Sequence, residues 1–66
     1  MDDYEQSPIM KYFTYEHLPP MLQEVSKAFA DLAEKMDREL PACAEKSAGL
    51  RKLLEGKDCM VRANLG

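Results

Sequence analysis

His17–Pro41, HLPPMLQEVSKAFADLAEKMDRELP, is the stretch on which the fold turns. Leu18, Leu22, Val25, Phe29, Leu32 and Met36 recur at alternating spacings of four and three. This is the a/d stripe of a helix that lays one apolar face against another helix. Pro19 and Pro20 suit a first helical turn, where a backbone N–H has no intrahelical partner in any case. Pro41 disfavours helical geometry in the residue before it and stops the run near Glu39 or Leu40. The pattern predicts a first helix over 19–39.

Downstream, Leu50, Leu53, Leu54, Met60, Val61 and Leu65 form an apolar face on a second helix predicted over 44–64. The connection Leu40–Ala44, LPACA, is short, so the two helices are expected as antiparallel neighbours. Lys57 falls on the same face, between Leu54 and Val61. Two readings apply to it: a stem that packs while its ammonium reaches water, or an ammonium kept at an interface for an anion. Arg51, Glu55, Asp58 and Arg62 make a separate, solvated stripe. Its pairs Arg51–Glu55 and Asp58–Arg62 have the i,i+4 spacing, worth about 0.2–0.5 kcal/mol each.

At 66 residues the chain is one domain. Near this size about 60% of the unfolded surface is buried on folding, and disulfides, a metal or a partner subunit usually add stability. Cys43 and Cys59 are 16 positions apart. That separation is roughly 24 Å along a continuous helix, against the about 4.4–6.8 Å between Cα atoms that a disulfide needs. They are expected to be small core residues in a reducing compartment. One histidine, His17, and no cysteine pair at ligand spacing argue against structural zinc. Self-association is the remaining route, and the apolar stripe serves either the second helix or the same helix of another protomer.

The net charge is −3 and is unevenly spread: residues 46–66 carry Lys46, Arg51, Lys52, Lys57 and Arg62 against only Glu55 and Asp58. An acidic chain is a poor general binder of DNA or RNA. No apolar run approaches the about 18 residues of a membrane helix. The opening MDDYEQSPIM is acidic and polar, unlike a secretory leader. A cytoplasmic location is therefore expected. No phosphate loop and no nucleophile–base motif is present, so no enzyme activity and no cofactor is expected.

Residues 1–10 lack periodicity and include the breaker Ser7–Pro8; they read as a flexible arm ahead of a hairpin domain over 11–66. Tyr12, Phe13 and Tyr15 cluster in KYFTYEH, Lys11–His17. This segment either caps the hairpin core or offers rings on which a planar ligand stacks. Gly49 and Gly56 sit inside the second helix, each costing about 1 kcal/mol against alanine. With Ala63 they form a line of small residues at heptad spacing. That line either meets a neighbouring chain or, at Gly56, tolerates a bend. Val25, Phe29, Leu32, Gly49, Gly56 and Val61 are the expected oligomer-interface residues.

KYFTYEHLP, LQEVSKAF, DLAEKM and EKSAGLRKLLEGKDCMVRA together span roughly residues 11–63. In these stretches the chain resembles short phage and prophage proteins with the helical-hairpin domain of anti-CBASS and anti-Thoeris cyclic-nucleotide sponges. GLRKLLEGKDCMVRA, Gly49–Ala63, matches the ALRKLLEAKDAAVRA motif of the short members; Val61-Arg62-Ala63 matches the ending shared with the sponges. The chain departs from the pattern at Ala28, where short members often have proline, and at PACAEKS, which replaces a more polar turn.

The resemblance implies an all-α two-helix hairpin with a short N-terminal aromatic segment, assembled into a compact homo-oligomer, commonly a hexamer. It implies pockets between protomers that sequester cyclic di- or trinucleotides without cleaving them, in the host cytoplasm if phage-encoded, so that anti-phage signalling is blocked. It assigns a stacking ring to Tyr12, with Tyr15 as the alternative, and a phosphate-binding ammonium to Lys27. Arg51 and Lys52 are the candidates at a second pocket. A helical adaptor that binds a protein partner through its apolar seam, and a structural oligomer without a ligand, are the competing readings.

Overall fold

The structure is a computed structural model describing residues 4–66. The chain is all-α, with a 3₁₀ segment over Pro8–Phe13, here the strap, then α1 over Pro20–Glu39 and α2 over Ala44–Leu65. The Asn64 side-chain amide at the end of α2 donates to the Met21 carbonyl at the start of α1, 3.0 Å away. The helices are therefore antiparallel. Helix α1 begins one residue after Pro19, its N-cap, and ends at Leu40, whose N–H still reaches the Met36 carbonyl. Helix α2 is capped by Cys43, whose Sγ accepts from the Lys46 amide at 3.4 Å.

The core has three sides. Met10 and Phe13 from the strap, Ala33 from α1 and Leu50 from α2 are buried together, and Ile9, Phe29, Ala30, Leu53 and Leu54 pack around them. A two-helix hairpin of this length leaves one flank of its core open, and the strap closes it. Residues 4–10, expected as part of a flexible arm, hold defined contacts instead: Tyr4 and Ser7 hydrogen-bond to Asp37 and Met10 is buried. Residues 1–3 of that expected arm lie outside the described residues.

The inward line of α1 is rotated from the a/d stripe. Its buried residues are Leu22, Ser26, Ala33 and Asp37, while Leu32 is 44% exposed. The reason is that α1 faces two neighbours, α2 and the strap, so its buried face lies between them. Two small residues, Ser26 and Ala33, are fully buried on that face. Phe29 packs beside Gly56, and a Cβ built on Gly56 stands at ordinary contact distance, 3.5 Å from Phe29 Cε1. Gly56 therefore has a neighbour within the chain. Around Gly49 nothing comes within 4 Å.

Three further expectations are corrected. Cys43 and Cys59 are free and exposed, not in the core, because Cys43 lies ahead of α2 as its cap and Cys59 on its outer face. Lys57 does not extend to water; the side chain is buried and Nζ donates to the Tyr12 carbonyl at 2.7 Å. The Arg51–Glu55 and Asp58–Arg62 pairs are not closed among the described residues. The i,i+4 ion pairs lie instead on α1, at Lys27–Asp31, Lys35–Glu39 and Glu34–Arg38. Among the described residues no helix is long and apolar enough to cross a membrane.

Candidate ligand groove and the charged latch behind it

The strap and the first half of α2 wall a groove of about 510 Å³. Pro8, Ile9, Lys11 and Tyr12 line one side and Ser47, Ala48 and Arg51 the other. Tyr12 is 56% exposed, with Lys11 Nζ 5.1 Å from the centroid of its ring. Its backbone is held from below, since the Tyr12 carbonyl is the acceptor for Lys57. The groove thus gathers an exposed aromatic side chain on a held backbone, two cations and Ser47. An aromatic face can stack on a base and a guanidinium can grip a phosphate through two parallel N–H donors.

Of the residues singled out from sequence, the fold brings Tyr12 and Arg51 to this groove and leaves the others elsewhere. Lys27 lies on the exposed side of α1, its Nζ 2.7 Å from Asp31. Its ammonium is held above the usual lysine range, first by that hydrogen bond, then by the Asp31 charge and by the nearby Tyr15. Tyr15 and Lys27 therefore form a second patch, apart from Tyr12. Lys52 is exposed on α2 and does not line the groove.

A second groove, about 500 Å³ and almost wholly apolar, opens between the C-terminal half of α1 and the N-terminal half of α2. Leu32, Met36, Leu40, Gly49, Leu50 and Leu53 line it. It contains two of the expected interface residues, Leu32 and Gly49. Of the others, Val25, Phe29, Gly56 and Val61 are partly covered within the chain.

Sequence reasoning missed the cluster that fixes the strap. Asp37, 2% exposed, accepts four hydrogen bonds. Oδ2 accepts from the Tyr4 hydroxyl and, at 2.9 Å, from the Ser7 amide. Oδ1 accepts from the Ser7 hydroxyl at 2.5 Å and from Lys46 Nζ at 3.0 Å. Lys46 Nζ also donates to the Asp37 and Leu40 carbonyls, at 3.0 and 3.1 Å, closing the end of α1 against the start of α2. Burial alone would raise the Asp37 carboxyl. Ser7, Tyr4 and Lys46 outweigh it and hold the group well below the usual carboxylate range. Tyr4 responds in the opposite sense and is pushed up to about 12, by its burial first and then by Asp37. One signal for this latch was present in the sequence. A lysine in the first turn of a helix opposes the helix dipole, so Lys46 fits there only if it reaches another group, and the preceding helix ends within its range.

Among the described residues no group of three or more His, Cys, Asp or Glu side chains is placed to hold a metal ion. No family model, curated protein or solved structure matches the chain.

Proposed function

We propose that this protein is a non-enzymatic sponge that binds and sequesters cyclic oligonucleotide second messengers and so blunts bacterial anti-phage signalling. The observation that carries the reading is the groove in which the exposed Tyr12 ring stands beside Lys11 and across from Arg51. It supplies what a cyclic nucleotide needs, a π-face for a base and cations for the phosphodiesters. The resemblance over residues 11–63 supports the same reading. In this reading the protein is a homo-oligomer with two pockets: the Tyr12–Arg51 groove, and a site completed by the Tyr15–Lys27 patch of a neighbouring protomer.

Calorimetry with one cyclic dinucleotide and one cyclic trinucleotide tests this. Tyr12→Ala should weaken binding by the about 1–3 kcal/mol that stacking on one base contributes. Arg51→Ala should remove a charge-assisted bond worth about 1.5–3 kcal/mol. Lys27→Ala should affect only the ligand that uses the second patch, and recovered ligand should be chemically intact. Binding unchanged in both Tyr12→Ala and Arg51→Ala would discard the groove assignment. No binding of any cyclic nucleotide by the parent would discard the sponge reading.

The apolar groove between Leu32 and Leu53 favours one other reading, an oligomeric adaptor that takes an apolar partner helix along its seam. That reading predicts partner binding that survives Tyr12→Ala and is lost on Leu32→Asp.

A further inference from the structure

The two lysines buried along α2 differ in how far they are satisfied. Lys46 places its three N–H donors on the Asp37 carboxylate and on two carbonyls. Lys57 is 9% exposed, and its Nζ has one acceptor, the Tyr12 carbonyl at 2.7 Å. Among the described residues no carboxylate comes within ion-pairing distance of it. A buried ammonium with no counter-charge is costly, and such groups are normally paired.

Lys57 borders a small cleft of about 190 Å³, between the turn after the strap and the C-terminal half of α2. His17 and Leu18 wall it on one side, and Asp58, Val61 and Arg62 on the other. The Arg62 guanidinium donates to Cys59 Sγ at 3.5 Å, a weak acceptor that leaves most of its N–H donors available. Three nitrogen-bearing side chains thus meet a single carboxylate, Asp58.

We infer that this cleft is a binding site for a phosphate group. Arg62 contributes a guanidinium fork and Lys57 an ammonium to this lining, the donor types that a tetrahedral oxyanion accepts, and His17 lines the same cleft. The volume lies below the about 300–1,000 Å³ of sites that enclose whole drug-sized ligands, so the cleft takes the phosphate and not a cyclic nucleotide. The anion supplies the counter-charge that Lys57 lacks and ties the turn at His17 to α2. No lining residue is shared with the Tyr12–Arg51 groove, and Arg62 and His17 touch nothing in it, so variants at those two positions test the cleft separately from the groove.

The test is an amide-resolved NMR titration with sodium phosphate, with sodium chloride at equal ionic strength as the control. Saturable shifts are expected at His17, Lys57, Asp58 and Arg62 with phosphate and not with chloride. Arg62→Gln should weaken binding by about tenfold or more, as for loss of one charge-assisted hydrogen bond. His17→Gln should weaken it less, and Asp58→Asn should tighten it. All three sites are exposed, so these variants keep the fold even if Lys57→Met does not. Adenosine monophosphate, titrated in parallel, separates two sources of the group. Tighter binding than inorganic phosphate assigns the cleft to a nucleotide's terminal phosphate, and equal or weaker binding to the free anion; both uphold the site. Absence of saturable shifts, shifts matched by chloride, or parent-like binding by Arg62→Gln would overturn it.

Discussion

Asp37→Asn is the change that most directly probes how this small chain stays folded. The carboxylate receives four donors in the structure: the Tyr4 hydroxyl, the Ser7 amide and hydroxyl, and Lys46 Nζ. An asparagine of the same shape keeps one acceptor oxygen and turns the other into an amide that faces two donors. At least two of the four bonds are lost, each worth about 1.5–3 kcal/mol when one partner is charged. That gives about 3–6 kcal/mol, in line with the about 3–5 kcal/mol that follows breaking a buried ion pair from one side. The whole stability of a chain this size is about 3–10 kcal/mol. Asp37→Asn should therefore remove much or all of it.

Urea unfolding followed by circular dichroism measures the loss directly. The pH dependence supplies a second reading. A carboxyl held below its unfolded value contributes stability that is fully present above about pH 4 and is lost as pH falls through the folded value. The parent should therefore destabilise on acidification below about pH 4. The variant, where it folds, should show a shallower acid limb. A loss under about 1 kcal/mol, set against the about 3–5 kcal/mol of a broken buried pair, would refute the reasoning, as would an acid limb as steep as the parent's.

Three other changes have defined outcomes. Tyr4→Phe should flatten the alkaline limb of stability, since a tyrosine raised to about 12 contributes stability below about pH 10 that is lost as pH rises further; a parent-like alkaline limb in thermal melts would count against the Tyr4–Asp37 bond. Ser26→Ala should stabilise the protein, by up to the about 1–3 kcal/mol that an unsatisfied buried hydroxyl costs, because Ser26 Oγ is buried with no partner among the described residues; a lower melting temperature would mean that the hydroxyl is bonded. Gly49→Ala and Gly56→Ala should each add about 1 kcal/mol through helix propensity, since a Cβ finds open space at Gly49 and ordinary contact at Gly56. A Gly49→Ala gain that reverses as protein concentration rises would reveal a chain–chain contact there.

The helices were legible in the sequence because prolines punctuate them: Pro19–Pro20 opens α1 and Pro41 closes it. The buried face of α1 was less legible. The spacing of apolar residues places the seam on Leu18, Leu22, Val25, Phe29, Leu32 and Met36; Leu22 is buried and Phe29 packs on the core, while Leu32 is exposed. The most buried positions of α1 are Ser26 and Ala33, which carry little hydrophobic signal. The strap was hidden for a related reason. Six residues in a 3₁₀ turn are too few to show a period, and their position is set by contacts to Asp37 and Lys57, which lie 30 and 45 positions away from their partners Ser7 and Tyr12. The resemblance assigns Tyr12 and Arg51 to different pockets, and the position of the strap against α2 is what brings them to one groove.

The strap also joins stability to the site. Its first end is held by a buried anion through Ser7 and its last by a buried cation through Tyr12, with Met10 and Phe13 anchored in the core between them. The same segment carries the Tyr12 ring and the Lys11 ammonium that line the groove. A flexible segment at this edge would lose conformational entropy each time a ligand ordered it, and so bind more weakly. The buried charges settle that cost during folding, and the Tyr12 face is presented ready-made. Weakening either charge should then act on binding as well as on folding. Partial loss of the latch, by Ser7→Ala, would leave Tyr12 chemically intact while loosening the wall on which it stands.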